Sequence, residues 1–221
     1  MSNPHERPAV STDRYATALL KEDTGNMLEY GDVQEIETDL ITIKYAPKMN
    51  SAKMYASGRA AESYIAKAGG TANVTVVGLT AEEEKEYFGS TLTTDGLLIE
   101  NANDYVPDRM IIWSTLRSDG HYNLHKIMKA KFASQGEEVK TTDENGVTFT
   151  GTSLQADYIP LIHNGDIKFD RKNVDASTPE GKKTIDDWFA TALGGIKLTG
   201  TAGEGVAASE TAGGTPGIPT E

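Results

Sequence analysis

Apolar and polar positions alternate along much of the chain, and the alternation predicts strands. Arg14–Leu20 reads as a first strand closed by the turn residues Asp23-Thr24-Gly25. Val33–Tyr45 is rich in β-branched residues and stops before Pro47; Thr71–Leu79 is a second β-branched run. Met110–Leu116 and His121–Phe132 flank Arg117-Ser118-Asp119-Gly120, a hairpin signal. Asn145-Gly146 leads into a further extended stretch, Val147–Ile162, and Asn164-Gly165-Asp166 precedes a short run at Ile167–Phe169. The pattern is cleanest after Gly120. Tyr122, Leu124, Met128, Ala130 and Phe132 share one face, interrupted by Lys126, while His121, Asn123, His125, Lys129 and Lys131 share the other. One core face and one face for water or a partner is the expectation for an antiparallel sheet.

Two segments change period. Ala81–Phe88 is introduced by Thr80 and Glu83, the capping-box pair, and followed by Gly89. Pro179–Leu193 has Thr178 as N-cap and Pro179 at the first helical position, and Gly194 marks its close. Its Ile185, Trp188, Phe189, Ala192 and Leu193 form an apolar stripe that must pack on a sheet or a neighbour. Ala46–Gly70 fits neither period and reads as a long irregular loop. Loops longer than about 12–15 residues inside compact domains are usually functional. It carries Lys48, Lys53, Arg59 and Lys67 together with Met49, Met54, Tyr55, Tyr64 and Ile65. The fold class predicted is mainly β: an antiparallel sandwich or partly closed barrel with one short and one longer flanking helix. Residues 14–198 form the domain. Residues 1–13 are a polar flexible arm, and 199–221, with no aromatic residue, Lys or Arg, is a disordered tail.

Composition narrows the function classes. Across 221 residues the net charge is −12. That disfavours a surface gripping a nucleic-acid backbone, which needs clustered Lys and Arg. A basic, partly apolar loop on such a body instead suggests an acidic partner, the simplest being another copy of the chain. There is no cysteine, which excludes disulfides, thiolate metal sites and Cys nucleophiles. Met1–Arg7 lacks an apolar run, so no cleaved leader is expected, and no stretch approaches the roughly 18 apolar residues of a membrane span. His121 and His125 are four apart, a metal-binding spacing on a helix, but on a strand they stand about 13 Å apart and cannot share an ion. His5 and His163 have no spaced partners. Glu82, Glu83, Glu84 and Glu86 suit the start of a helix, Asp186-Asp187 a solvated helix face, and Trp113 and Trp188 a core. Glu35, Glu37 and Asp39 alternate and so share one face. No phosphate-binding glycine loop and no Ser-His-acid pattern stands out. The chain therefore reads as a non-enzyme with no catalytic residues, cofactor or metal.

The order of these pieces resembles the major tail (tail-tube) proteins of long-tailed bacteriophages, particularly those of phages of Gram-positive hosts. The match runs through the long loop with Lys53-Met54-Tyr55-Ala56-Ser57-Gly58, the helix segment Leu79–Gly89, the hairpin at Ser118-Asp119-Gly120, and Lys131-Phe132-Ala133-Ser134 leading to Val147-Thr148-Phe149. It covers residues 14 to 195. The resemblance implies a structural virion protein. Copies form rings, hexameric in the family, that stack into a tube in the phage tail. Assembly takes place in the host cytoplasm, around a tape-measure protein and against tail-end proteins, with no membrane involved. DNA later passes through during ejection without specific binding. It further implies that the long loop, with Lys48, Lys53, Met54, Tyr55, Arg59, Tyr64 and Lys67, reaches the adjacent ring. Glu35, Glu37 and Asp39 would face the lumen, where like charge repels phosphate.

Two other readings compete. A β-sandwich carbohydrate-binding or adhesin module would present Tyr and Trp on an exposed sheet face. A small jelly-roll enzyme would gather polar groups in a pocket.

Overall fold

The computed structural model describes residues 7–36, 40–56, 59–134 and 151–198. The chain runs β1 (Ala9–Asp23), β2 (Leu28–Glu35), β3 (Leu40–Ala56), β4 (Arg59–Val76), α1 (Ala81–Phe88), β5 (Thr91–Leu92), β6 (Leu98–Ile99), β7 (Arg109–Arg117), β8 (His121–Ser134), β9 (Thr152–Tyr158), β10 (Lys168–Asp175) and α2 (Pro179–Ala190). It is mainly β, with one short and one longer helix. The main sheet is antiparallel in the order β2-β1-β7-β8-β9-β4-β3. β10 takes over along β8 where β9 leaves it: Tyr158 pairs Ala130 and Lys168 pairs Ile127. β5 and β6 form a separate small ribbon.

The sheet curls without closing. Its two edge strands, β2 and β3, are consecutive in sequence, and the five peptide steps from Glu35 to Leu40 reach at most about 18 Å. β3 also comes back against β1, and Tyr45 of β3 meets Trp113 of β7 with ring centroids 6.0 Å apart. The strand predicted over Val33–Tyr45 is therefore two strands at opposite edges. The break falls at Ile36, whose N–H turns to the Tyr15 carbonyl at 3.2 Å. Ala9–Asp13, read as part of the N-terminal arm, belongs to β1, with Ala9 opposite Arg117. The C-terminal tail from Thr199 lies outside the described residues.

Cores form on both faces of β1, β7 and β8. The first six residues of β7 are all buried. Ile111 and Trp113 join Tyr15, Val74, Ile127, Phe132, Leu154 and the Tyr87 ring of α1 inside the curl. Met110 and Ile112 face the other way, with Ala16, Ala18, Leu124 and Met128, against Trp188 and Phe189 of α2. Burying such a side chain contributes about 1.5–3 kcal/mol. The two-faced reading of β8 needs correction for this reason. Arg109 pairs Ala130 while Ile111 pairs Ile127, so β8 holds one extra residue at Met128-Lys129. This bulge moves the even-numbered positions from one core to the other: Leu124 and Met128 pack under α2, but Ala130 and Phe132 face the interior of the curl.

Both helices begin as their sequences predict. Thr80 and Glu83 exchange the reciprocal capping-box bonds, and Gly89 ends α1 in the left-handed conformation at φ 75°. Thr178 Oγ1 accepts from the Gly181 N–H. α2 ends at Ala190, earlier than Leu193, and a buried cation satisfies the carbonyls beyond it. The Lys126 ammonium donates to the Thr191, Ala192 and Gly194 oxygens at 3.1, 2.8 and 2.9 Å and lies 4.7 Å from the Trp188 ring centre. The interruption in the apolar face of β8 is thus the C-terminal cap of α2. Burial pushes its pKa down to about 7.

Candidate functional site

Ala46–Gly70 is not a loop. It is the paired body of a long hairpin, running from Leu40 opposite Val76 out to Ala56 opposite Arg59 with register shifts at Leu40/Thr42, Lys48/Met49 and Met54/Tyr55. β9 supports β4 only from Gly70 to Val76. Beyond that point, among the described residues, β3 and β4 pair only with each other. The free-standing part, Lys48–Ala56 against Arg59–Gly69, is about 27 Å long at the rise of an antiparallel strand. Its departure point is Gly69, at φ 109°, where an added Cβ would lie 2.1 Å from the Tyr158 carbonyl oxygen. Only glycine tolerates both that conformation and that approach.

The arm's base is apolar and basic. Met49 is 54% exposed, Tyr64 68% and Ile65 63%, and Lys48 and Lys67 are exposed beside them. Lys53, Met54, Tyr55 and Arg59 lie on its outer strands. All seven residues predicted for the contact loop are therefore on one projecting element. A two-stranded ribbon without a third strand or a packed face is marginal alone. Met49, Tyr64 and Ile65 thus stand exposed at the base of this ribbon.

At the base of the arm, Tyr45, Pro47, Met49 and Lys67 face Tyr158, Asp166, Ile167, Lys168 and Asp170 across a cleft of about 420 Å³. Lys168 spans it, 3.8 Å from the Tyr45 ring centre and 2.7 Å from Asp170 Oδ1. Behind Asp170 stands a constellation that sequence reasoning missed. His125 Nδ1 meets Asp170 Oδ1 at 2.5 Å, His125 Nε2 lies 3.4 Å from Thr115 Oγ1, and the imidazole stacks on Trp113 at 4.8 Å. Burial opposes ionisation of Asp170, yet His125 and Lys168 hold its carboxyl below the usual range. The three groups stand on adjacent strands, β7, β8 and β10, which no sequence spacing reveals. Hydroxyl, imidazole and carboxylate are aligned as in a nucleophile–base–acid set. The backbone around Thr115 pairs with Thr12 of β1 on one side and Asn123 of β8 on the other. The set acts as a cross-strand clasp.

Of the three carboxylates predicted to share a face, only Glu35 lies within the described residues; Glu37 and Asp39 fall outside them. β2 ends at Glu35. The Glu35 carboxylate is engaged by Arg14 Nε at 2.5 Å, and the Arg14 guanidinium rests on the Phe189 ring at 4.1 Å. Glu86 bonds the buried Arg109, which also reaches Thr17 and Gln34 and so ties α1 to β1, β2 and β7. Trp113 and Trp188 are 2% and 1% exposed, core residues as expected. The His163 N–H donates to Asp23, and His121 sits beside Asp119 and Asp175. Among the described residues no group of three or more His, Asp or Glu is placed to hold a metal, and no helix is long and apolar enough to cross a membrane.

Fold and site define a mainly antiparallel β protein, curled but unclosed, with a projecting apolar and basic hairpin. No protein-family model matches the chain, and no curated protein matches it.

Proposed function

We propose that the chain is a structural subunit that assembles with copies of itself into stacked rings, as the tail-tube protein of a long-tailed bacteriophage. The carrying observation is the hairpin arm. Among the described residues it pairs as a ribbon with no third strand beside it, and it is apolar and basic in a chain of net charge −12. Two further features support the reading. Among the described residues both edges of the main sheet, β2 and β3, lack an outer strand, and an unpaired edge is a template for a neighbour's strand. The overall negative charge suits a conduit through which DNA slides without sticking. In this reading the tube is part of the virion and surrounds a tape-measure protein before DNA passes.

A carbohydrate-binding module is the second reading. It is favoured by the cleft under Tyr45, with Tyr158 and paired charges at hand, and weakened by the burial of both tryptophans. Electron microscopy of the purified protein at high concentration, with sedimentation over a concentration series, tests the choice. Hollow tubes or stacked rings are expected. A species that stays monomeric and retains a glycan on an array would overturn the proposal in favour of the second reading.

A further inference from the structure

The charge of this protein is divided by position. Residues 44–67 carry five basic side chains, Lys44, Lys48, Lys53, Arg59 and Lys67, against the single acid Glu62. Residues 77–108 carry eight acids against the single base Lys85. The two segments lie at opposite ends of the sheet. β4 runs from the arm to Val76, and the acidic segment begins there. Its helix α1 packs at the same end, with Tyr87 edge-on to Phe132 at 4.7 Å and Glu86 on Arg109. The seventeen steps from Arg59 to Val76 separate tip and acidic end by up to roughly 55 Å along the strand. Because the arm is paired along its described length, it cannot fold back to reach that end of its own subunit.

The acidic end also carries uncovered apolar surface. Leu97, Ile99 and Tyr105 are exposed, and Phe88, Val106 and Phe132 line a cleft rimmed by Glu100 and Asp104. An apolar surface rimmed by carboxylates complements an apolar ribbon carrying lysines. We infer that the arm of one subunit docks on the α1 and β5–β6 face, residues 77–108, of the next copy, with Glu82 and Glu100 among the carboxylates that receive its basic side chains. This rests on the self-assembly reading and names the receiving surface within it. The contact is head-to-tail, so it propagates along an axis instead of closing a pair.

Charge reversal in two variants tests it. K48E/K53E inverts the arm; E82K/E100K inverts the receiving face. Each variant alone is expected to lose every species larger than a single ring by sedimentation and microscopy. An equimolar mixture is expected to regain stacking, because each inverted surface then meets its inverted complement. Recovery in the mixture also excludes misfolding as the cause of the separate losses. If E82K/E100K stacks as the parent does, or the mixture fails to recover, the receiving surface is wrong while the tube reading stands. If the unmodified protein never self-associates, the tube reading falls and the docking falls with it.

Discussion

Lys126 is the residue whose sequence context misleads most. It breaks an apolar face, yet burial with three carbonyl oxygens makes it the cap of α2. Its folded pKa of about 7 lies below the ordinary lysine value of about 10.4. Between those values the unfolded chain holds a proton that the folded protein has released. Unfolding therefore takes up a proton, and stability rises with pH across that window. K126M removes the titration and the ammonium donor to the Ala192 and Gly194 carbonyls, while Thr191 keeps the Gly194 N–H, at a cost of about 1–3 kcal/mol. The stability advantage of the parent over K126M is expected to grow from pH 7 to 9 in urea titrations. Parallel curves would mean that the ammonium stays charged in the folded protein. Asp23 works in the opposite sense. Burial resists its ionisation, but the Ile162 N–H, Lys129 and the His163 N–H lower its pKa, so the stability it contributes is lost in acid. At the pivot of the arm, G69A faces a 2.1 Å approach to the Tyr158 oxygen and an unfavourable φ. A loss of more than about 1 kcal/mol is expected, read as a lower urea midpoint. An unchanged midpoint would show that β4 leaves the sheet elsewhere.

Among the elements, the helices and the β7–β8 hairpin were legible because their signals are local. Thr80 with Glu83, Thr178 with Pro179, and Asp119-Gly120 each act within a few residues. The arm was not legible as strand. Its Ala, Ser and Lys residues are poor strand formers, and they show no period-2 pattern. What holds it is the register set by β3 against β4, a long-range property. The β8 bulge was hidden for a related reason: alternation continues through it while the core it serves changes sides. The seven residues proposed for the contact stand on β3 and β4, although the sequence pattern reads as an irregular loop there. The His125–Asp170–Thr115 clasp was invisible because pairing of β8 with β7 and β10 creates it. Register also gives a clean way to remove the arm. Deleting Ser51–Ala68 leaves Met49-Asn50 as a two-residue turn between Lys48 and Gly69, which already pair. The shortened protein is expected to keep its circular dichroism and cooperative melt yet form no stacks. Normal tubes from it would remove the arm from assembly.

For the whole molecule, the separation of charge has a kinetic consequence. If copies stack as proposed, the basic residues of 44–67 at one end of the strand axis and the acidic residues of 77–108 at the other place opposite charges along the direction of growth. Approaching copies then experience a torque before they touch, which favours head-to-tail encounters and penalises the others. The torque acts over about a Debye length, roughly 10 Å in 0.1 M salt and about 3 Å in 1 M. Raising salt should thus slow elongation more than it weakens finished contacts whose apolar parts are buried. Stopped-flow light scattering would show the rate falling steeply with ionic strength; a salt-independent rate would mean that the dipole plays no part in encounter.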